Sequence, residues 1–307
     1  MQITSVCVLG GSGFVGRHLV NELYRRGYRI KVLTRNREKA RDLWVLPNVD
    51  VVEADIGDEA ELCRQLAGMD AAINLVGILH QRREGDFRRL HADLPLKVAK
   101  ACLAAGVPRL LHMSALQADE RGPSAYLRSK GWGETRVLDG AAHGLAVTVF
   151  RPSVIFGPGD AFLNLFARLL RWLPVVALAC PYARFQPVFV GDVARVFAES
   201  LERPETFGRR YDLCGPRAYS LRQLVVLVGR FSGHARPIVS LGHRLSYLQA
   251  WVMEMLPGSL LTRDNVLSMQ ADSVCVCPFP PEFGFAPTAL EAVAPSYLAP
   301  LGRIIGR

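Results

Sequence analysis

Short apolar runs alternate with segments of helical period along the first half of the chain. Ser5-Val-Cys-Val-Leu9 is a continuous apolar run, which predicts a strand buried on both faces of a parallel sheet. Gly10-Gly-Ser-Gly13-Phe-Val-Gly16 follows at once, and then Val15, Leu19 and Leu23 recur every four residues beside Val20 and Tyr24. That spacing predicts an amphipathic helix ending at Gly27. Ile30 to Thr34 reads as a second strand, Val49 to Ala54 as a third, Glu59 to Leu66 as a short helix and Ala71 to Val76 as a fourth strand. A long helix is expected from Phe87 to Ala105, a fifth strand from Arg109 to Ser114, and a helix opening at Tyr126. Repeating units of this kind specify an α/β chain with a doubly wound parallel sheet and right-handed connections.

Beyond Arg151 the strands shorten and glycine and proline become denser. Asp192 to Leu201 predicts a helix and Tyr211 to Cys214 a strand. Ser220 opens a helix with Leu221, Leu224, Val225 and Val228 on one face. The expected division is a larger α/β domain over residues 1–178, with 186–202 returning to it, and a smaller lobe over 179–307. Ser240 to Leu261 carries Leu245, Tyr247, Leu248, Trp251, Val252, Met255 and Leu256, interrupted by Pro257-Gly258. It reads as a helix packed into that lobe, with a helix resting on a membrane or partner as the alternative.

The glycine turn carries specific physics. Gly10 lets the chain reverse, Gly13 removes a side chain where backbone must approach a pyrophosphate, and Gly16 lets the helix pack on the strand. Unpaired N–H groups and the positive helix end then hold phosphates, with Ser12, Phe14, Val15 and Gly16 in the turn. Placed between a strand and a periodic helix, the motif predicts dinucleotide binding in a Rossmann-type sheet. The second strand ends in Leu33-Thr34-Arg35-Asn36-Arg37 rather than in an acidic residue. A guanidinium fork matches a phosphate, so NADP(H) is favoured over NAD(H), with Arg35 as the main phosphate contact and Arg37 as its helper. Asp55, after the third strand, is placed to accept from the adenine amino group.

Tyr126 and Lys130 stand four apart in a helical segment, so both project from one face. A phenol of pKa ~10 is a poor base at neutral pH. A neighbouring ammonium and an oxidised nicotinamide would favour its phenolate; in the reducing direction the same phenol would donate a proton to a carbonyl.

Composition narrows the classes. The chain has 307 residues, 50% apolar and 21% charged, which excludes wholesale disorder. No apolar run reaches the ~18 uncharged residues of a membrane span, and a strand beginning within the first ten residues leaves no room for a secretory signal. The seven cysteines, mostly single among apolar neighbours, read as free thiols in a reducing cytosol. Cys275-Val-Cys277 lacks the second ligand pair of a zinc site, and no metal is expected. Basic residues outnumber acidic ones, 37 to 28, for a net charge of +9. The arginines are scattered and lack interleaved aromatics, so nucleic acid is not expected as a partner.

Taken together, the glycine turn, Asn74-Leu-Val-Gly77, the Tyr126/Lys130 pair and Arg151-Pro152 resemble extended or atypical short-chain dehydrogenase/reductases. Arg151-Pro-Ser-Val-Ile-Phe-Gly157, Gln186-Pro-Val-Phe-Val190, Thr262-Arg-Asp264 and Ala286-Pro-Thr288 are similar to the dehydrogenase-like, NADPH-binding accessory subunits of mitochondrial complex I and their bacterial relatives. The resemblance implies cofactor contact by Gly10, Gly13, Phe14, Val15 and Gly16, with Arg35 at the adenosine phosphate and Asp55 and Ile56 at the adenine. It further implies that Leu75, Val76 and Gly77 line the pocket, that Pro152 to Val154 approach the carboxamide, and that Tyr126 and Lys130 form the active pair. Lys130 would also bond the nicotinamide ribose.

The chain departs from the pattern at Ala115, where active dehydratases and epimerases carry a hydroxyl, leaving Ser114 as the candidate. His91 stands where relatives often place Asn. Two functions follow as expectations: an NADPH-dependent oxidoreductase acting on a hydrophobic carbonyl or quinone-related molecule, or a non-catalytic NADPH-binding accessory or assembly protein for complex I or quinone biosynthesis. The expected location is cytoplasmic, with a peripheral membrane-surface or respiratory-complex association as the further reading.

Overall fold

The structure, a computed structural model, describes residues 2–81, 83–255 and 260–299. The strands in chain order are β1 (Ser5–Leu9), β2 (Arg29–Thr34), β3 (Val49–Glu53), β4 (Ala71–Asn74), β5 (Arg109–Met113), β6 (Ala146–Pro152), β7 (Ile155–Phe156), β8 (Val176–Leu178), β9 (Arg184–Phe185), β10 (Val188–Phe189), β11 (Arg209–Leu213), β12 (Tyr219–Ser220) and β13 (Ile238–Ser240). The α-helices are α1 (Phe14–Arg25), α2 (Glu59–Leu66), α3 (Leu94–Ala104), α4 (Ala125–Asp139), α5 (Phe162–Trp172), α6 (Val190–Ser200), α7 (Leu221–Ser232), α8 (His243–Glu254), α9 (Arg263–Ser268) and α10 (Leu290–Leu298).

Contacts divide the chain into two units, Met1–Pro152 with Gly191–Asp212, and Ser153–Val190 with Leu213–Arg307. The boundary expected at residue 178 falls inside the second unit. The first unit holds a seven-stranded sheet of order β11-β6-β5-β4-β1-β2-β3. β1 pairs in parallel with β2 and β4, and β2·β3, β4·β5 and β5·β6 are parallel as well. Every residue of β1 is buried, as its unbroken apolar run requires. α1 turns Val15, Leu19 and Leu23 inward. Leu62 and Leu66 of α2, with Val98 and Cys102 of α3, share a core with Cys7, Leu9, Leu110 and Val147 of the strands.

Three local departures from the sequence reading have identifiable causes. β4 stops at Asn74 rather than Val76, because the Asn74 Oδ1 accepts the Val76 N–H at 3.1 Å and turns the chain out of the ladder. The long helix expected from Phe87 is a π-helical turn over Arg88–Asp93 followed by α3. Pro95 supplies no N–H, which interrupts the i→i−4 ladder at that junction. The reading of all cysteines as free thiols is corrected: Cys214 and Cys275 form a disulfide across 61 residues. Gln186 sits at that junction, donating to the Gly215 carbonyl at 2.6 Å and accepting the Cys275 N–H at 3.0 Å. Segments that are distant in sequence are thereby brought side by side.

The second unit pairs β7 with β10, β8 with β13 and β9 with β12. Its core gathers Phe156, Leu163, Phe166, Leu170, Leu224 and Leu290. Ser220 begins α7 through a reciprocal capping box with Gln223. The Ser240–Leu261 stretch becomes β13's last residue and α8; its Leu256, Pro257 and Gly258 lie outside the described residues. No helix among the described residues is long and apolar enough to cross a membrane.

Candidate active site

The glycine turn joins β1 to α1 at the carboxyl end of the sheet. Gly10 has φ +81°, a conformation that L side chains rarely adopt. A Cβ on Gly16 would stand 2.3 Å from the Gly10 carbonyl oxygen and 2.5 Å from the Gly11 Cα, so only glycine lets α1 start this close to the turn. Gly13 is the extended N-cap of α1 and supplies no side-chain cap, and a Cβ there would touch only the Gly10 oxygen, at 3.2 Å. The result is a cradle free of side chains beside the first-turn amides of Phe14, Val15 and Gly16. A diphosphate fits that donor set, because those amides are the ones a helix leaves unpaired.

Around the cradle, the Leu75–Val76 backbone lies 3.2 Å from where a Gly10 Cβ would be. The Ser12 and Thr34 hydroxyls are 3.3 Å apart. Arg35 and Arg37 are both exposed beyond β2. The Arg37 guanidinium lies 5.2 Å from the centre of the Trp44 ring, and its backbone N–H donates to Glu53 at 3.3 Å. The exposed Asp55 carboxylate accepts the Gly57 N–H at 2.9 Å, and Ile56 is packed against the core. Pro152 ends β6 and its carbonyl accepts the Leu116 N–H at 2.9 Å. Val154 belongs to the second unit, where its carbonyl accepts the Val188 N–H at 3.0 Å.

A second group of side chains converges where β4, β5 and α4 meet. Ser124 caps α4 through the Leu127 N–H, which starts the helix one residue before Tyr126. Lys130 is buried, and its Nζ donates to the Met113 carbonyl at 3.2 Å. A Cβ on Gly77 would lie 3.2 Å from that Nζ and 3.5 Å from the His91 Nε2, so the three groups share one small space. The Tyr126 ring is edge-on to His91 at 5.5 Å and to Phe87 at 5.8 Å. Ser114 follows β5 with a buried hydroxyl that has no partner among the described residues, and the fully buried His112 Nε2 is likewise without one. The other His112 nitrogen meets the Asn74 amide at 3.3 Å.

Burial sets the protonation states. The Tyr126 phenol is pushed up to about 12 by burial. Lys130 is brought down to about 8 by burial, opposed by the charge of Glu134. Burial, then Lys130 and His112, lower His91 to about 2, and burial and then Lys130 lower His112 to about 3. At neutral pH both imidazoles are therefore uncharged, the phenol keeps its proton and most of Lys130 is cationic. Such a set can deliver a proton from Tyr126 Oη while the ammonium holds a nearby hydroxyl or developing negative charge.

Several polar residues of this group escaped the sequence reading of the site. Asn74 and His112 interrupt apolar strands, and a polar residue at the end of a buried strand is the signal that marks them. Glu134 is buried and takes two bonds from the Arg151 Nε at 2.8 and 2.9 Å, a third from its Nη2, and an ion pair with Arg210 at 3.3 Å. It anchors α4 to β6 and β11.

The model of the NAD dependent epimerase/dehydratase family matches residues 6–214. The chain is 30% identical over 297 residues to the mitochondrial NADH dehydrogenase (ubiquinone) 1 alpha subcomplex subunit 9 of Mus musculus, covering 92% of this chain and 77% of that protein. It is 36% identical over 190 residues to the ceramide reductase of Caulobacter vibrioides, covering 62% of this chain and 58% of that protein. An NADPH-dependent quinone oxidoreductase from Escherichia coli, solved with NADPH, superposes with a TM-score of 0.75 at 22% identity, over 95% of this chain and 99% of that one. With its NAD(P)-binding fold and glycine cradle, this chain belongs to the NAD dependent epimerase/dehydratase family.

Proposed function

We propose that the protein is an NADPH-dependent reductase of a hydrophobic carbonyl or quinone-related compound, with Tyr126 as proton donor. Bound NADPH would supply the hydride. Gly10, Ser12, Gly13, Phe14, Val15 and Gly16 hold the diphosphate, Arg35 and Arg37 the adenosine phosphate, Asp55 and Ile56 the adenine, and Leu75, Val76 and Gly77 the inner wall. Pro152 approaches the carboxamide. The Tyr126 Oη gives its proton to the carbonyl oxygen as the carbon is reduced, and solvent returns a proton to the phenolate. Lys130 stabilises that phenolate and bonds the ribose, and the unpartnered Ser114 hydroxyl orients the carbonyl. The observation that carries this reading is the buried Lys130 one turn after Tyr126, beside Gly77. A relative named as a ceramide reductase supports the reaction class and the hydrophobic substrate.

A second reading has its own support. Ala115 puts a methyl where active dehydratases and epimerases carry a hydroxyl, and the mouse relative is named as a complex I subunit. Here NADPH would be a structural ligand that stabilises the folded state, within a respiratory or quinone-biosynthesis assembly.

One experiment separates the two. NADPH oxidation is measured with a panel of quinones and hydrophobic aldehydes and ketones, for the native protein and Tyr126→Phe, alongside mass spectrometry of any co-purified nucleotide. Turnover that falls at least about a hundred-fold in Tyr126→Phe supports the reductase. Tight NADPH binding with no turnover on any member of the panel supports the structural role.

A further inference from the structure

The outward face of α8 is apolar where a surface helix is ordinarily polar. Ser246 and Ala250 point inward and are fully buried, while Leu245, Tyr247, Leu248, Trp251, Val252 and the cap residue Met255 are between 40% and 64% exposed. At 3.6 residues per turn these six fill the arc opposite Ser246 and Ala250. Neighbouring elements of the same unit extend the surface. Trp172, 77% exposed, and Val175 lead into β8, whose Ala177 carbonyl accepts the Gln249 side chain of α8 at 3.0 Å. The exposed Val239 of β13 pairs with Ala177 on the other side. Large apolar side chains exposed on α8, at the end of α5 and on β13 of one unit mark an interaction site rather than scattered surface residues.

Basic side chains border this surface. Arg168 and Arg171 on α5, Arg236 before β13 and Arg244 on α8 are exposed. The Arg236 Nε donates to the Leu170 carbonyl at 3.1 Å, which fixes that arginine against the end of α5. From His243 to Met255 the one carboxylate is Glu254, and it is neutralised by Arg263 at 2.7 Å.

We propose that this face of the second unit docks on an anionic lipid surface. α8 lies in the headgroup layer, with Trp251, Leu248 and Trp172 reaching the acyl boundary and the arginines against lipid phosphates. Tryptophan and tyrosine favour that boundary, and basic side chains flanking an apolar helix favour anionic leaflets. A second copy of the chain is a poorer occupant, because a two-fold contact would set the same arginines against one another. The inference stands apart from the reading of the nucleotide site.

Flotation of the full chain with vesicles tests it, comparing phosphatidylcholine alone with equal parts phosphatidylcholine and phosphatidylglycerol. The protein should float with the anionic vesicles, float much less with the neutral ones, and be released by salt. Trp251→Glu with Leu248→Glu should abolish binding. Arg171→Gln with Arg244→Gln should weaken it about 25-fold, near five-fold per arginine. Thermal melting verifies that the variants are folded, and the arginine pair decides the matter if the glutamate pair is not. No flotation with anionic vesicles, equal binding to both compositions, or binding untouched by a folded variant would overturn the proposal. So would an absence of vesicle binding together with a concentration-dependent dimer that the glutamate pair dissociates.

Discussion

The His91 Nε2 accepts the backbone N–H of Ile78 at 3.0 Å, tying the loop after β4 to the π-helical turn before α3. An Nε2 that accepts must leave the proton on Nδ1, which donates to the Ser129 hydroxyl at 2.9 Å; that hydroxyl in turn donates to the Tyr126 carbonyl at 2.7 Å. One neutral imidazole thus connects Gly77's loop to the helix of Tyr126 and Lys130.

Burial of that imidazole, with Lys130 and His112 beside it, makes stability pH-dependent with a definite sign. His91 titrates near its ordinary 6.5 when unfolded and at about 2 when folded, so the unfolded chain takes up the proton first as pH falls. Its contribution is complete above pH 6.5 and is lost progressively below it, at up to about 1.4 kcal/mol per pH unit. His91→Asn, which does not titrate, should flatten urea-unfolding stability between pH 6.5 and 4 relative to native protein. Parallel pH curves for the two would refute the neutral, buried imidazole.

Glu134 is a buried carboxylate held by Arg151 and Arg210. Removing its charge takes from the Arg151 guanidinium the carboxylate it is hydrogen-bonded to, at a cost of about 3 kcal/mol. Glu134→Gln should lower the urea midpoint accordingly. A loss below about 1 kcal/mol would place these ions in the class of solvent-screened surface pairs.

Gly16 has no room for a methyl against the Gly10 carbonyl. Gly16→Ala should cost about 3 kcal/mol of stability and abolish nucleotide binding in whatever fraction remains folded. Unchanged stability and binding would show that the turn relaxes freely.

Arg35 tests the choice between dinucleotides. Losing a charge-assisted bond to the adenosine phosphate costs about 2 kcal/mol, so Arg35→Asp should raise the Kd for NADPH roughly 30-fold and leave NADH little changed. Equal losses for both nucleotides would remove the phosphate assignment.

Much of this was readable from the chain because its local signals agree with one another. The apolar run at Ser5–Leu9, the glycines after it and the period of Val15, Leu19 and Leu23 each point to one strand–turn–helix unit, and the structure has it. Four-residue spacing put Tyr126 and Lys130 on one face for the same reason. The remainder depends on tertiary proximity. Nothing near Cys214 in sequence announces Cys275, because Gln186 and the segments it joins meet only after folding. His91 falls within the helix expected from Phe87, and only the fold shows the π-helical turn that contains it. The phenol's upward shift is likewise a property of its surroundings, which the spacing of Tyr126 and Lys130 does not encode.

Isothermal titration calorimetry of NADPH into the folded protein tests the account at its centre. It predicts saturable one-site binding, weaker for NADH, and lost when Gly13→Val fills the cradle in a protein that still melts cooperatively. Folded native protein that gives no binding isotherm with either nucleotide would contradict it.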